Sequence, residues 1–286
     1  MSFIYGNQNQ RRSINQVASS GFTLIELLVT VGIIALLAGM LLPAMGKARY
    51  RAAQVNEMSA TRQVLLAWRV YAEDSGDSVL PGYRYGFEAH DFRGNPVTHP
   101  INARYPWRLA PYLGQNFDIL YVNENRQTLD AFRRMADPNL AIYAASVFPS
   151  LGINSVFVGG DDLELPPTDR ALDQFGRFCV LKIAEIQRPS ELITFCSARG
   201  PFEGKVVPGF YVVKPPYLNA RRWAVDWNPD DGPEAWGNVH PRYSLKAVSG
   251  FSDGHVENID RRRLQDMRHW ANLADRSDWT LRARGP

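Results

Sequence analysis

Residues 21–43 read GFTLIELLVTVGIIALLAGMLLP. Nearly every residue of 22–42 is apolar, and at about 1.5 Å per helical residue the run reaches roughly 31 Å, enough to cross the hydrocarbon core of a bilayer. One charge interrupts it. Glu26 stands near the start, where an unpaired carboxylate in lipid costs on the order of a few kcal/mol, so the residue asks for a partner. A secretory signal peptide has a shorter apolar middle with a small-residue cleavage site behind it. Here a polar segment with Arg11, Arg12 and no acid comes first, and the Gly21-Phe22 junction stands ahead of the apolar run.

Gly21-Phe22-Thr23-Leu24-Ile25-Glu26 resembles the prepilin-peptidase recognition site of type IV pilins and type II secretion pseudopilins. The resemblance implies cleavage after Gly21, N-methylation of the new terminus at Phe22, and a meeting of Glu26 with the terminal amine of a neighbouring subunit. An ion pair in a low-dielectric bundle adds little net stability, but an unpaired member is strongly penalised, so such a pair sets register. Pro43 falls where many pilins carry a proline; it removes one helical hydrogen bond and favours a kink or local melt. Lys47, Arg49 and Arg51 follow the span as closely as Arg11 and Arg12 precede it, so charge alone leaves the orientation open. The resemblance places the leader in the cytoplasm, the span in the inner membrane as a single pass, and the head in the periplasm. The filament would be periplasmic or at the cell surface. The implied partners are prepilin peptidase, other pilin or pseudopilin subunits and the inner membrane.

The chain of 286 residues has 45% hydrophobic and 12% aromatic residues, with 19 prolines and 22 glycines, the balance of a folded protein rich in turns. Removing residues 1–21 leaves 30 basic against 29 acidic side chains, which argues against a general nucleic-acid-coating role. The expected organisation is a leader over 1–21, a spine helix over 22–74 with its membrane part at 22–42, and a globular head over 75–286. The expected fold class is α+β, pilin-like, with the helical spine packed on an antiparallel sheet.

Beyond Pro43 the pattern stays helical to Asp74. Ala48, Ala52, Val55, Ser59, Leu66 and Val70 recur at helical spacing, with Lys47, Arg51, Glu57 and Arg69 on the other faces; this predicts the apolar row as the side turned to the head. Residues 80–114 are broken by Pro and Gly every few residues and read as irregular chain around a small helix. Their YPWRLAPYLG, residues 105–114, resembles a motif of large planctomycete and verrucomicrobial pilin-like proteins. A short helix is predicted over 128–135. Strands are predicted in SVFVGG, RFCVLKIAEI, ELITFCSA and GFYVVK, and again over 244–248 and 255–259, with Asp260 capping a terminal helix through Leu264, Met267 and Ala271.

Four further groups of residues carry a chemical expectation. Gly250-Phe251-Ser252-Asp253-Gly254 matches G-x-S-x-G, but a nucleophile elbow needs a strand before and a helix after, and Asp-Gly between β-prone runs signals a hairpin; no catalytic residue is expected. FSDGHV, residues 251–256, resembles a C-terminal element of the same large pilin-like proteins. Asp226, Asn228, Asp230 and Asp231 place oxygen side chains ahead of Gly232 as a Ca²⁺ loop begins, so a structural calcium ion is one expectation and a solvated acidic turn the other. Cys179 and Cys196, the two cysteines, are a candidate disulfide in an oxidising compartment, or two buried thiols. The arginines that follow Asp260, with Trp270 and Trp279, read as a solvated basic face. The functional expectation is a filament subunit, with a membrane-tethered ligand-binding or enzymatic head as the alternative.

Overall fold

The computed structural model describes residues 23–114, 116–134 and 137–284; Gly21 and Phe22 lie outside them. Two units emerge from the contacts, Met1–Tyr50 and Arg51–Pro286. The first helix, α1 (Leu24–Asp74), runs through Pro43 without interruption, so the melt expected there does not occur. Proline leaves the carbonyl four residues earlier without its helical donor, and that residue is Gly39.

The second unit contains the latter part of α1 and then α2 (Tyr105–Leu109), α3 (Glu124–Arg133), α4 (Pro138–Val147), β1 (Leu151–Asn154), α5 (Asp169–Phe175), β2 (Ile193–Ser197), β3 (Arg199–Phe202), β4 (Lys205–Pro208), β5 (Val212–Val213), β6 (Lys246–Phe251), β7 (Val256–Asp260) and α6 (Arg261–Leu264). Five strands form one sheet in the order β5-β1-β2-β6-β7, and β3 and β4 form a separate hairpin. The large sheet is antiparallel except at β1 and β5, which pair in parallel. This is the expected α+β architecture, with one parallel pair added at the edge.

Both faces of the sheet are covered. Leu151, Ile153, Phe195 and Val248 pack with Val64, Leu65 and Trp68 of α1 in one core. Ile193, Cys196, Ala247 and Phe251 pack with Trp223, Trp236 and Trp270 in the other. Burial on both sides explains why the strands lack polar alternation. The Tyr105 hydroxyl donates to Leu151 O at 2.7 Å, and Trp107 Nε1 to Ile142 O at 3.1 Å. Arg108 reaches from α2 into the irregular segment before it, donating to Pro81 O at 2.5 Å and Ala103 O at 3.0 Å. Burial lowers its pKa to about 10. YPWRLAPYLG is thus a clamp for chain with no ladder of its own.

Several predicted elements differ. SVFVGG and RFCVLKIAEI form turns, isolated bridges and a short 3₁₀ turn at Ile183–Glu185 in place of strands. GFYVVK contributes only the two residues of β5. Apolar β-prone residues buried from several sides need no ladder partner to be held, so propensity overstates the strands. Two helices were not expected. Asp137 accepts from Asn139 N at 2.8 Å with Pro138 at the first helical position of α4, and Thr168 accepts from Ala171 N at 3.3 Å to begin α5. Asp260 caps α6 as expected, but α6 ends at Leu264 and Asp266 starts a separate 3₁₀ turn.

Candidate assembly segment and buried carboxylate network

Within the first unit the site is the beginning of α1. Thr23 precedes the helix, and Glu26 is the third helical residue. The Glu26 carboxylate accepts from Thr23 N at 2.9 Å and Thr23 Oγ1 at 2.8 Å, and Glu26 N donates to Thr23 Oγ1 at 3.2 Å. This reciprocal pattern is a capping box, and it gives Glu26 a local partner that sequence reading did not identify, although T-x-x-E was there to be read. Beyond it Leu24, Leu28, Ile34 and Leu42 are all exposed. Each large apolar side chain of this kind would gain about 1–2 kcal/mol on leaving water, and the row continues on every side of the helix. Among the described residues α1 alone is long and apolar enough to cross a membrane, with a mean hydropathy of 2.5 over its best window.

Within the second unit a different carboxylate organises the helix. The predicted contact row is reversed: Val55 and Leu66 are 64% and 65% exposed, while Ala60, Thr61, Val64, Leu65, Trp68 and Tyr71 are buried. Glu57, expected on a face other than the apolar row, is fully buried. Its Oε1 accepts from Ser197 Oγ at 2.6 Å, and its Oε2 from the Tyr243 hydroxyl at 2.7 Å. Arg242 Nη1 lies 3.5 Å from Oε2 and completes an ion pair. Burial first, then the neighbouring Glu57 charge, pushes the Tyr243 pKa up, which keeps the phenol a donor. Asn123 Nδ2 ties the same corner by donating to Ala53 O at 2.9 Å. Arg69 Nη2 donates to Ser252 O at 3.0 Å. The helix meets β6 at Gly250, where an added Cβ would stand 2.7 Å from both Leu65 Cδ1 and Thr61 Cγ2. A periodic count of apolar residues misses this face because its polar members are satisfied by groups that arrive from residues 123 to 243.

Ser252 is buried, its Oγ 2.8 Å from Thr194 Oγ and 3.2 Å from Leu192 O, in the hairpin between β6 and β7. His255 Nδ1 instead pairs with Asp253 at 2.6 Å. The cysteines are both free and buried, the second of the two arrangements expected of them. Cys196 lies in β2 between Gly152 and Ser249, whereas Cys179 lies in irregular chain, so the pair is not cross-strand. Burial pushes both thiols up to about 12.

In the acidic loop, Arg199 donates to Pro229 O at 2.9 Å and Asp231 O at 3.1 Å while lying over the Trp227 ring at 4.1 Å. Asp226 pairs with Arg261 at 2.9 Å, and Asn228 bonds Asp231 and the backbone of Asp230. The Arg199 guanidinium is therefore the cation that meets two backbone carbonyls of this loop. Among the described residues no group of three or more His, Cys, Asp or Glu side chains is gathered as a metal site. Of the C-terminal arginines, Arg261, Arg263, Arg268 and Arg276 stand in ion pairs with Asp226, Glu257, Asp266 and Asp278.

A helix long and apolar enough to cross a membrane, opened by a Thr-Glu capping box, and an α+β unit define the class: a chain with an N-terminal membrane-length helix and an α+β head. The family model for the prokaryotic N-terminal methylation motif matches residues 18–42. The chain thus carries the type IV pilin and pseudopilin signature. No curated protein and no solved structure matches it.

Proposed function

We propose that the protein is a prepilin-like structural subunit of a type IV pilus or a type II secretion pseudopilus. Prepilin peptidase cuts after Gly21, Phe22 is methylated, the span holds the subunit in the inner membrane with its head in the periplasm, and α1 carries it into a filament. The observation that supports this most is the methylation motif at 18–42 on a membrane-length helix whose apolar first part carries one carboxylate. In this reading Glu26 exchanges its Thr23 cap for the amine of a neighbouring subunit. The exposed Val55, Leu66 and Val70 become contacts between neighbouring helices, and Pro43 lies at the membrane exit. A tethered enzymatic or ligand-binding head is the second class. The test is Glu26→Gln in the native host: insertion in the membrane should persist while recovery in sheared or detergent-resistant filaments falls by about tenfold or more. Equal recovery would remove Glu26 from assembly.

For the acidic loop we propose Arg199 as the resident cation, with calcium as the alternative. A rise in melting temperature with calcium that disappears on replacing Asn228, Asp230 and Asp231 would favour the metal.

A further inference from the structure

A cavity of about 520 Å³ opens between α4 and the β3-β4 hairpin, within the usual range for small-molecule sites. Its walls are apolar and largely aromatic, from Phe132, Phe148, Phe202 and Phe210. Phe132 and Phe148 stack at 5.9 Å, with Phe202 edge-on to both. One cationic residue lines it. Arg104 is 7% exposed and lies between two tyrosines, its guanidinium 4.7 Å from the Tyr143 centroid and 5.2 Å from the Tyr211 centroid. Nη1 donates to Ser146 Oγ at 2.7 Å and Nη2 reaches the Tyr143 hydroxyl at 3.4 Å, while Nε is buried with no hydrogen-bond partner among the described residues.

This guanidinium differs from the other buried arginines in the kind of partner it has. Arg108 donates to four backbone carbonyls and Arg199 to those of Pro229, Asp231 and Gly232, while the partly buried Arg242 has Glu57. Arg104 has two hydroxyls and two ring faces, and no ion pair with a carboxylate among the described residues. A buried charge is penalised unless paired and hydrogen-bonded, and a planar guanidinium accepts a carboxylate in two parallel bonds. We propose that the cavity is a binding site for a small apolar carboxylate, whose acid group meets Arg104 and whose hydrocarbon or aromatic body lies among the phenylalanines. The surroundings agree in shape as well as charge, since ring edges and faces suit an aromatic body. Glu203 lines the cavity from the exposed turn between β3 and β4, with φ of 48°, and opposes an incoming anion there.

The test uses the full chain in lipid nanodiscs, with empty nanodiscs as control, and ligand-observed NMR with 3-phenylpropionate and its uncharged amide. The expected result is saturable binding with about tenfold preference for the acid, and loss of that preference in Arg104→Gln. Glu203→Gln, at an exposed turn, should tighten acid binding about threefold. Absence of saturable binding, or equal binding of acid and amide, overturns the proposal. Where Arg104→Gln does not fold, Glu203→Gln decides: tighter acid binding supports the site, and unchanged or weaker binding overturns it.

Discussion

Two glutamates on one helix meet opposite circumstances. Glu57 is buried within the second unit, and the chain itself supplies a serine, a phenol and a guanidinium to hold it. Glu26 sits at the first turn of the apolar half, where its partner is the Thr23 cap and its apolar neighbours are exposed. A carboxylate whose partners lie in its own chain is part of folding. One set at the edge of an unsatisfied apolar surface is available to another molecule. Substitutions at the two positions should therefore be read by different measurements.

The largest effect is expected at the Glu57 pair. Arg242→Met takes the guanidinium from the buried Glu57 carboxylate, and Glu57→Leu leaves Arg242 with only the carbonyls of Ser150 and Ala198; either should cost up to about 3–5 kcal/mol in denaturant unfolding. Removing both together should cost less than the two single changes combined. Next comes Gly250→Val, which places side-chain atoms against Leu65 and Thr61 and should cost about 1–3 kcal/mol. Unfolding curves no different from wild type would show that α1 does not bear on β6 there.

Stability should also fall at both ends of the pH scale. Burial first, then Arg242 and Arg199, hold His240 down at about 2. A depressed histidine contributes stability that is full above its unfolded pKa of about 6.5 and declines as pH falls toward 2; between pH 6.5 and 5.5 the loss should be about 1 kcal/mol. His240→Gln should flatten that limb. Cys179 and Cys196 are raised to about 12, so their contribution is complete below about pH 9 and is lost as pH rises through 12. Thermal melts across the two windows, with Cys179→Ser and Cys196→Ser controls for the alkaline one, check both signs.

The smallest effect on folding is expected at Glu26. Glu26→Gln weakens a charged cap on the first turn and should change unfolding of the second unit by less than about 0.5 kcal/mol. A large change would erase the distinction between the two glutamates.

The apolar half of α1 was legible because its signal is local: length, hydropathy and a single acid in one window. The Asp260 cap and the hairpin at residues 251–255 were legible for the same reason. Its outer half was not, since Glu57 is buried by Ser197, Arg242 and Tyr243, all far along the chain. The face drawn from Val55, Leu66 and Val70 is nearly opposite the buried one at 100° per residue. The strands expected in SVFVGG and RFCVLKIAEI failed because apolar segments can be buried without a ladder. In contrast, α4 and α5 had readable caps at Asp137-Pro138 and Thr168, set among β-prone residues that masked them. The Arg104 cavity had no sequence signal, because its aromatic walls come from residues 132 to 210.

The most direct measurement is the intact mass of the protein purified from native-host membranes. The expected species begins at Phe22, lacks residues 1–21 and carries one methyl group on its amino terminus. A mature chain that keeps residues 1–21, or begins anywhere else, would contradict the assignment of this helix as a processed assembly segment.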